Sequence, residues 1–254
     1  MALVHEAPDW RTYRMDVRRP FAALEPLEQE IARVDAALSA LVAAGVLPHA
    51  RYDRERFARH RAEVAAAFDI PWTAITPRMH RLLYAINSIQ QPRTLVAVGI
   101  FCGFTFIANA GAGLGAGACY AAERLLGIEI DPGEATRAAR NVAAVDGDGR
   151  ARILPADGVA ALRELTGTLD LLYLDANGGG EQGKSIYLDM LAAARHALVA
   201  GSLVLAHNSL NCAAALADYL ATVRDPANCR QSVNVCIDGE GLEVSLIAGA
   251  APQE

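Results

Sequence analysis

The sequence predicts a mostly parallel α/β sheet with helices on both faces, closed by a C-terminal antiparallel hairpin and preceded by a helical N-terminal extension. Three observations carry this. From Thr94 to His207, short apolar runs alternate with helical stretches, the texture of successive β/α units. The last stretch differs: two alternating runs, 232–238 and 242–248, flank Gly239-Glu240-Gly241 and read as a hairpin. The first 90 or so residues carry no convincing strand.

In chain order, 25–45 reads as an amphipathic helix. Ile31, Val34, Leu38, Leu41 and Val42 recur at helical spacing, and Gly45 is a stop. A more charged helix follows over 53–68, with Asp53 as its cap. Thr76 and Pro77 then open a third helix, 77–89, as N-cap and first residue. Pro92 closes this region, so the extension is placed at 1–92 and the sheet domain at 93–254. The run TLVAV (94–98) is apolar throughout, as a strand buried on both faces requires. Further strands are expected at 124–130, 151–156, 169–175 and 202–207, with helices after the first strand and at 132–145, 158–165, 184–198 and 211–223. With the hairpin this makes seven strands.

Hydrophobic residues make up 53% and charged residues 20%, enough for a core and against disorder. Net charge is −6 with no basic stripe, which disfavours nucleic acid as a partner. No apolar run is long enough for a membrane span, and the first 20 residues lack a signal-peptide core. Five cysteines without a paired CxxC spacing suggest reduced, packed thiols and a cytoplasmic protein.

Four motifs then stand in order. Val98-Gly99-Ile100-Phe101-Cys102-Gly103 follows the first strand. A strand that turns sharply into a helix while a ligand approaches its backbone needs residues without Cβ, and the helix start offers free N–H groups to an anion. Gly127-Ile128-Glu129-Ile130-Asp131 ends the second strand, where an acid can accept both hydroxyls of a ribose. Ala156-Asp157-Gly158 follows the third strand. Tyr173-Leu174-Asp175-Ala176-Asn177 ends the fourth, with Tyr187 beyond it and Ala206-His207-Asn208 after the fifth.

Residues 94–250 thereby resemble class I S-adenosylmethionine (SAM)-dependent methyltransferases, and among them the small O-methyltransferases related to catechol O-methyltransferase, a Rossmann-like fold. The resemblance implies SAM as cofactor, held by Gly99, Phe101, Gly103, Glu129, Asp157, Gly158 and Asp175. It implies methyl transfer to a small-molecule hydroxyl or amine acceptor, with no nucleic acid or membrane partner; homodimers are common in the family. His207, Asp175 and Tyr187 are the catalytic candidates; Tyr120, Tyr173, Asn177 and Asn208 are the candidates for substrate contact. The Gly-rich loop 111–117 lengthens the spacing between the first two motifs and is expected near the substrate. Trp10, Tyr13, Trp72 and Met79 of the extension are expected over the site.

Two departures stand out. In cation-dependent relatives the fourth-strand Asp and an Asp-Asn pair after the fifth strand bind a divalent cation. Here Asp175 and Asn208 match, but His207 replaces the second acid, giving a softer and less anionic set. His207 is open to three readings: metal ligand, general base or packed histidine. The second departure is Ala97, where the family carries an acid that faces the SAM amine. A neutral amine could attack its own γ-carbon, which resembles azetidine-2-carboxylate synthases of the same fold, releasing methylthioadenosine. A third reading is a non-catalytic SAM-binding subunit.

Overall fold

A computed structural model describes residues 3–248. Eight strands form one sheet: β1 (Leu3–Glu6), β2 (Thr94–Val98), β3 (Arg124–Glu129), β4 (Ala151–Pro155), β5 (Leu169–Leu174), β6 (Leu198–His207), β7 (Cys229–Cys236) and β8 (Leu242–Ile247). Their order is β1-β7-β8-β6-β5-β2-β3-β4. Only the pairs that β8 makes, with β6 and β7, are antiparallel. The predicted fold class therefore holds, with one addition. β1 extends the sheet to eight strands by pairing parallel to β7, from Leu3 beside Val233 to Glu6 beside Cys236. Its own pattern could not announce it: it has four residues, and Leu3 and Val4 are exposed.

Eight helices cover the sheet. On one face lie α1 (Leu27–Ala43), α3 (Pro77–Gln90), α4 (Phe104–Ala110) and α5 (Pro132–Ala143), which share a core with the inward residues Leu95, Ala97, Leu171 and Leu205. On the other lie α6 (Gly158–Arg163), α7 (Ile186–Ala194) and α8 (Ala217–Val223), packed on Val96, Val98, Leu172 and Val204. Adjacent residues of β2 thus feed opposite layers, as strand alternation demands. The remaining helix, α2 (Arg54–Ala67), carries Asp53 as its cap, which accepts from the Arg56 amide at 2.9 Å. Thr76 caps α3 at the Met79 amide, 3.1 Å away, as its sequence position predicts. α8 is shorter than expected, because 208–216, directly after β6, are turns.

The Gly-rich segment 111–117 lies at the N-terminal edge of the strands, where α4 has run back and β3 is about to begin. It packs on α2: a Cβ on Gly111 would fall 2.1 Å from the His60 ring, and the Ala116 amide donates to Glu63. The expectation that this loop borders the substrate is corrected. All five cysteines are free, and burial pushes the thiols of Cys102, Cys229 and Cys236 up to about 11, as packed hydrophobes. Among the described residues no helix is long and apolar enough to cross a membrane.

Candidate functional site

The C-terminal ends of β2 to β6 open onto one cavity of about 600 Å3. Open parallel sheets place ligands at this end. The floor is the turn after β2. Gly99 has a φ of +77°, and its amide donates to the Ile128 carbonyl at 2.9 Å. Phe101 also has positive φ, and Gly103, at +89°, caps α4 while staying inside the turn rather than facing the cavity.

Glu129 is held by this turn. Its Oε2 accepts from the Phe101 amide at 2.7 Å and its Oε1 from the Asp131 amide at 3.1 Å. Each oxygen keeps a free lone pair, so the carboxylate is oriented yet able to accept two further hydrogen bonds. Asp157 caps α6 through Oδ1, which accepts from the Ala160 amide at 2.8 Å, and also lines the cavity. Gly158 lets the wall close: a Cβ there would meet Val98 Cγ1 at 2.4 Å and the Met190 methyl at 2.9 Å.

Asp175, at the end of β5, sits in a cluster that sequence reasoning only partly found. Lys184 Nζ donates to Asp175 Oδ1 at 2.8 Å, to the Asp175 carbonyl at 3.0 Å and to the Tyr187 hydroxyl at 3.1 Å. The Tyr187 hydroxyl donates in turn to the His207 carbonyl at 3.3 Å. His207 Nδ1 lies 3.3 Å from Asp175 Oδ2, within ion-pair range but off hydrogen-bond alignment, and Nε2 has no partner. Burial alone would drive the imidazole toward its neutral form; Asp175 outweighs this, and the His207 pKa is raised. Burial likewise opposes the Asp175 carboxylate, but His207 and then Lys184 hold its pKa below the usual range. The His207 contribution to stability is therefore present below the ordinary imidazole range and lost as pH rises through its folded value; that of Asp175 is lost as pH falls through its own. Asp175→Asn removes the charge and leaves the burial. The His207 titration followed by NMR is then expected to drop below the ordinary imidazole range, and an unmoved midpoint would show the two are uncoupled.

The sequence candidates divide sharply. Gly99, Phe101, Glu129, Asp157, Gly158, Asp175, Asn177 and Asn208 line the cavity. His207, Tyr173 and Tyr187 are fully buried and do not. Tyr173 faces the core layer that holds Ala97, its neighbour across the β2–β5 pair. Tyr187 packs edge-on against Tyr219, and burial raises its pKa well above the phenol range, so it is a fixed donor. Tyr120 is corrected outright: it precedes β3 at the opposite end of the strands and packs with Phe57, Tyr84 and Ala112. Of the extension residues expected over the site, only Trp72 reaches it, 4.9 Å from the Phe101 ring. Met79 is in the core, Trp10 packs on it, and Tyr13 lies under the Arg78 guanidinium.

The divalent-cation set is not assembled. Both Asp175 oxygens face cationic or imidazole groups, His207 stays outside the cavity, and the Asn208 amide nitrogen donates to Glu240 at 2.7 Å. Among the described residues, no three His, Cys, Asp or Glu side chains gather where they could hold a metal. Lys184 was missed because six residues of loop, 178–183, separate it from the strand-end motif. A signal was nonetheless there: it is the only lysine in the chain, the other 22 of the 23 basic residues being arginine.

The fold is similar to that of several solved methyltransferases. A methyltransferase from Podospora anserina, solved with S-adenosylhomocysteine, superposes with a TM-score of 0.58 at 15% identity, over 89% of this chain and 98% of its own. The O-methyltransferase of tomaymycin synthesis from Streptomyces achromogenes, solved with SAM, gives 0.56 at 20% identity, over 78% and 92%. An O-methyltransferase from Bacillus cereus, in complex with S-adenosylhomocysteine, gives 0.56 at 15% identity, over 77% and 92%. At these identities the likeness establishes a shared fold. No protein-family profile and no curated protein sequence matches the chain.

Proposed function

We propose that the protein is a SAM-dependent methyltransferase acting on a small-molecule hydroxyl or amine acceptor. The observation that carries this is Glu129. Its carboxylate is fixed by the Phe101 and Asp131 amides at the cavity wall, with both oxygens still able to accept. That is the geometry a ribose diol needs, on a fold whose solved relatives above hold SAM or its product. The rest follows in order along the cavity. The Gly99 turn admits the methionine arm close to backbone. Ile128, Ile130 and Met190 offer apolar faces to the base, and Asp157 stands at that end. Trp72, Asn177, Asn208 and Cys212 surround the space left for an acceptor.

In this reading an acceptor lone pair attacks the sulfonium methyl, the C–S bond breaks with its electrons passing to sulfur, and the acceptor's proton leaves to solvent or a nearby base. The chain's part is to align the two reactants and keep water away. Asp175 serves as a hydrogen-bond acceptor that orients the nucleophile, since its neighbours keep it ionised. His207 acts from behind it as a positioning group.

Calorimetry with SAM, then incubation with SAM and a panel of hydroxyl and amine acceptors, tests the proposal. S-adenosylhomocysteine formed only with an acceptor supports it. Absence of SAM binding refutes it, and enzyme-dependent methylthioadenosine without an acceptor reassigns the protein to SAM cleavage. Glu129→Ala, folded by circular dichroism, is expected to weaken SAM by about 10- to 100-fold, since a hydrogen bond to a charged group is worth roughly 1.5–3 kcal/mol and about 1.4 kcal/mol is tenfold.

A further inference from the structure

We propose that Lys184 takes the place and the charge of the divalent cation used by cation-dependent relatives, so that this protein works without a metal. The inference rests on the methyltransferase reading and concerns the charge beside the acceptor. The chain meets its need for positive charge with arginine at every position but one. The exception is almost fully buried beside the strand-end carboxylate, where it presents a compact point charge rather than a planar fork. All three ammonium hydrogens have partners there: Asp175 Oδ1, the Asp175 carbonyl and the Tyr187 hydroxyl.

The backbone is built to deliver it. After Asn177 the chain forms a tight loop closed by an antiparallel bridge, the Gly178 amide donating to the Gly183 carbonyl at 2.8 Å. Lys184 follows at once, returned to within reach of the residue at which the loop departed. The loop's purpose in the fold is therefore to bring a cation back to Asp175.

A metal finds too little left. Magnesium and similar hard cations need several oxygen ligands, preferably anionic. Of the carboxylates nearest this corner, Glu240 is engaged by the Asn208 amide, while Asp175 has its Oδ1 engaged by the ammonium and its Oδ2 facing His207. A divalent ion drawn to Asp175 would stand against a fixed ammonium whose repulsion is little screened at this burial. The consequence reaches the acceptor. A metal with open positions can grip two neighbouring oxygens, whereas an ammonium with every hydrogen in use cannot. Selection then falls to cavity shape and to Asn177 and Asn208, and paired neighbouring hydroxyls are not required.

The test titrates chelator-treated wild-type protein with Mn2+ alone, reading bound ion by electron paramagnetic resonance, with SAM affinity measured in parallel. Wild type is expected to bind no Mn2+ and to bind SAM equally with and without chelator. Lys184→Ala/His207→Asp, which empties the ammonium's place and supplies the second acid, is expected to gain a Mn2+ site while retaining SAM. Stoichiometric Mn2+ on wild type, lost in Asp175→Asn, overturns the proposal. So does a double variant that binds SAM but no Mn2+. Wild type that binds no SAM counts against the methyltransferase reading alone, and the wild-type Mn2+ titration still decides this one.

Discussion

Arg78→Met is expected to lower the stability of the protein by about 3–5 kcal/mol, the cost of leaving the buried Glu25 carboxylate without its cation. Arg78 is fully buried at the start of α3, and each of its five N–H groups has an acceptor. Nε and Nη2 donate to Glu25 at 2.7 and 2.6 Å, Nη1 and Nη2 to Asp9 at 2.9 Å each, and Nη1 also to the Ile237 carbonyl at 3.0 Å. The guanidinium stacks on Tyr13, 3.8 Å from the ring centre. Its hydrogen bonds and charge hold the Asp9 carboxyl at about 2. The variant keeps most of the volume and loses the fork, so Glu25 is left without its cation and Asp9 with a weaker one. Arg33, 3.3 Å from Asp9, compensates in part.

The same substitution should reach the cavity. The segment that Arg78 fastens passes Val17, whose carbonyl accepts from the Thr73 amide at 2.9 Å, and Thr73 stands in the cavity wall beside Trp72. Urea unfolding measures the first effect and calorimetry with SAM the second. Arg78→Lys should recover little of either, because three hydrogens replace five and the planar fork is gone. A loss under about 1 kcal/mol in Arg78→Met would mean the carboxylates find water, contrary to the burial of Glu25.

The central parallel strands could be read from sequence because they are largely buried on both faces and so are mostly apolar; β2 was bounded correctly at 94–98. β1 could not, because what makes it a strand is the free edge of β7, and three of its four residues are exposed. The candidates that line the cavity followed the same logic as the strands. Gly99, Glu129 and Asp157 lie at strand ends, where chain position alone determines place in space. The rest failed for geometric reasons. Tyr173 belongs to β5 proper, so its side chain enters a core layer and not the cavity above it. Tyr120 sits before a strand instead of after one, which puts it the full length of β3 away. Lys184 comes home through a loop whose closure is a backbone bridge between two glycines, and no side-chain pattern encodes that return.

Gly99→Ala is the second large effect, and its outcome tests whether the cavity floor is as tight as the backbone implies. At φ +77° any side chain pays roughly 1–2 kcal/mol for left-handed backbone. Here the new Cβ would also stand 2.4 Å from both the Cα and the amide nitrogen of Ala176, and 2.7 Å from the Asp175 carbonyl carbon. These are backbone atoms at the end of β5, tied to β2 by the Asp175 amide donating to the Val98 carbonyl at 2.9 Å. No rotamer relieves that contact; the strand ends must part, adding about 1–3 kcal/mol of overpacking. The displaced atoms carry Asp175, so the Lys184 pair moves with them and SAM binding is expected to be lost. Gly167→Ala separates the two costs, since Gly167 has φ +81° and nothing within 4 Å of a Cβ. It should show the backbone penalty alone in thermal or urea unfolding and bind SAM as wild type does. If Gly99→Ala matched Gly167→Ala in stability and kept SAM affinity, β5 would be free to yield, and the close approach of the two strand ends could not be what shapes the cofactor floor.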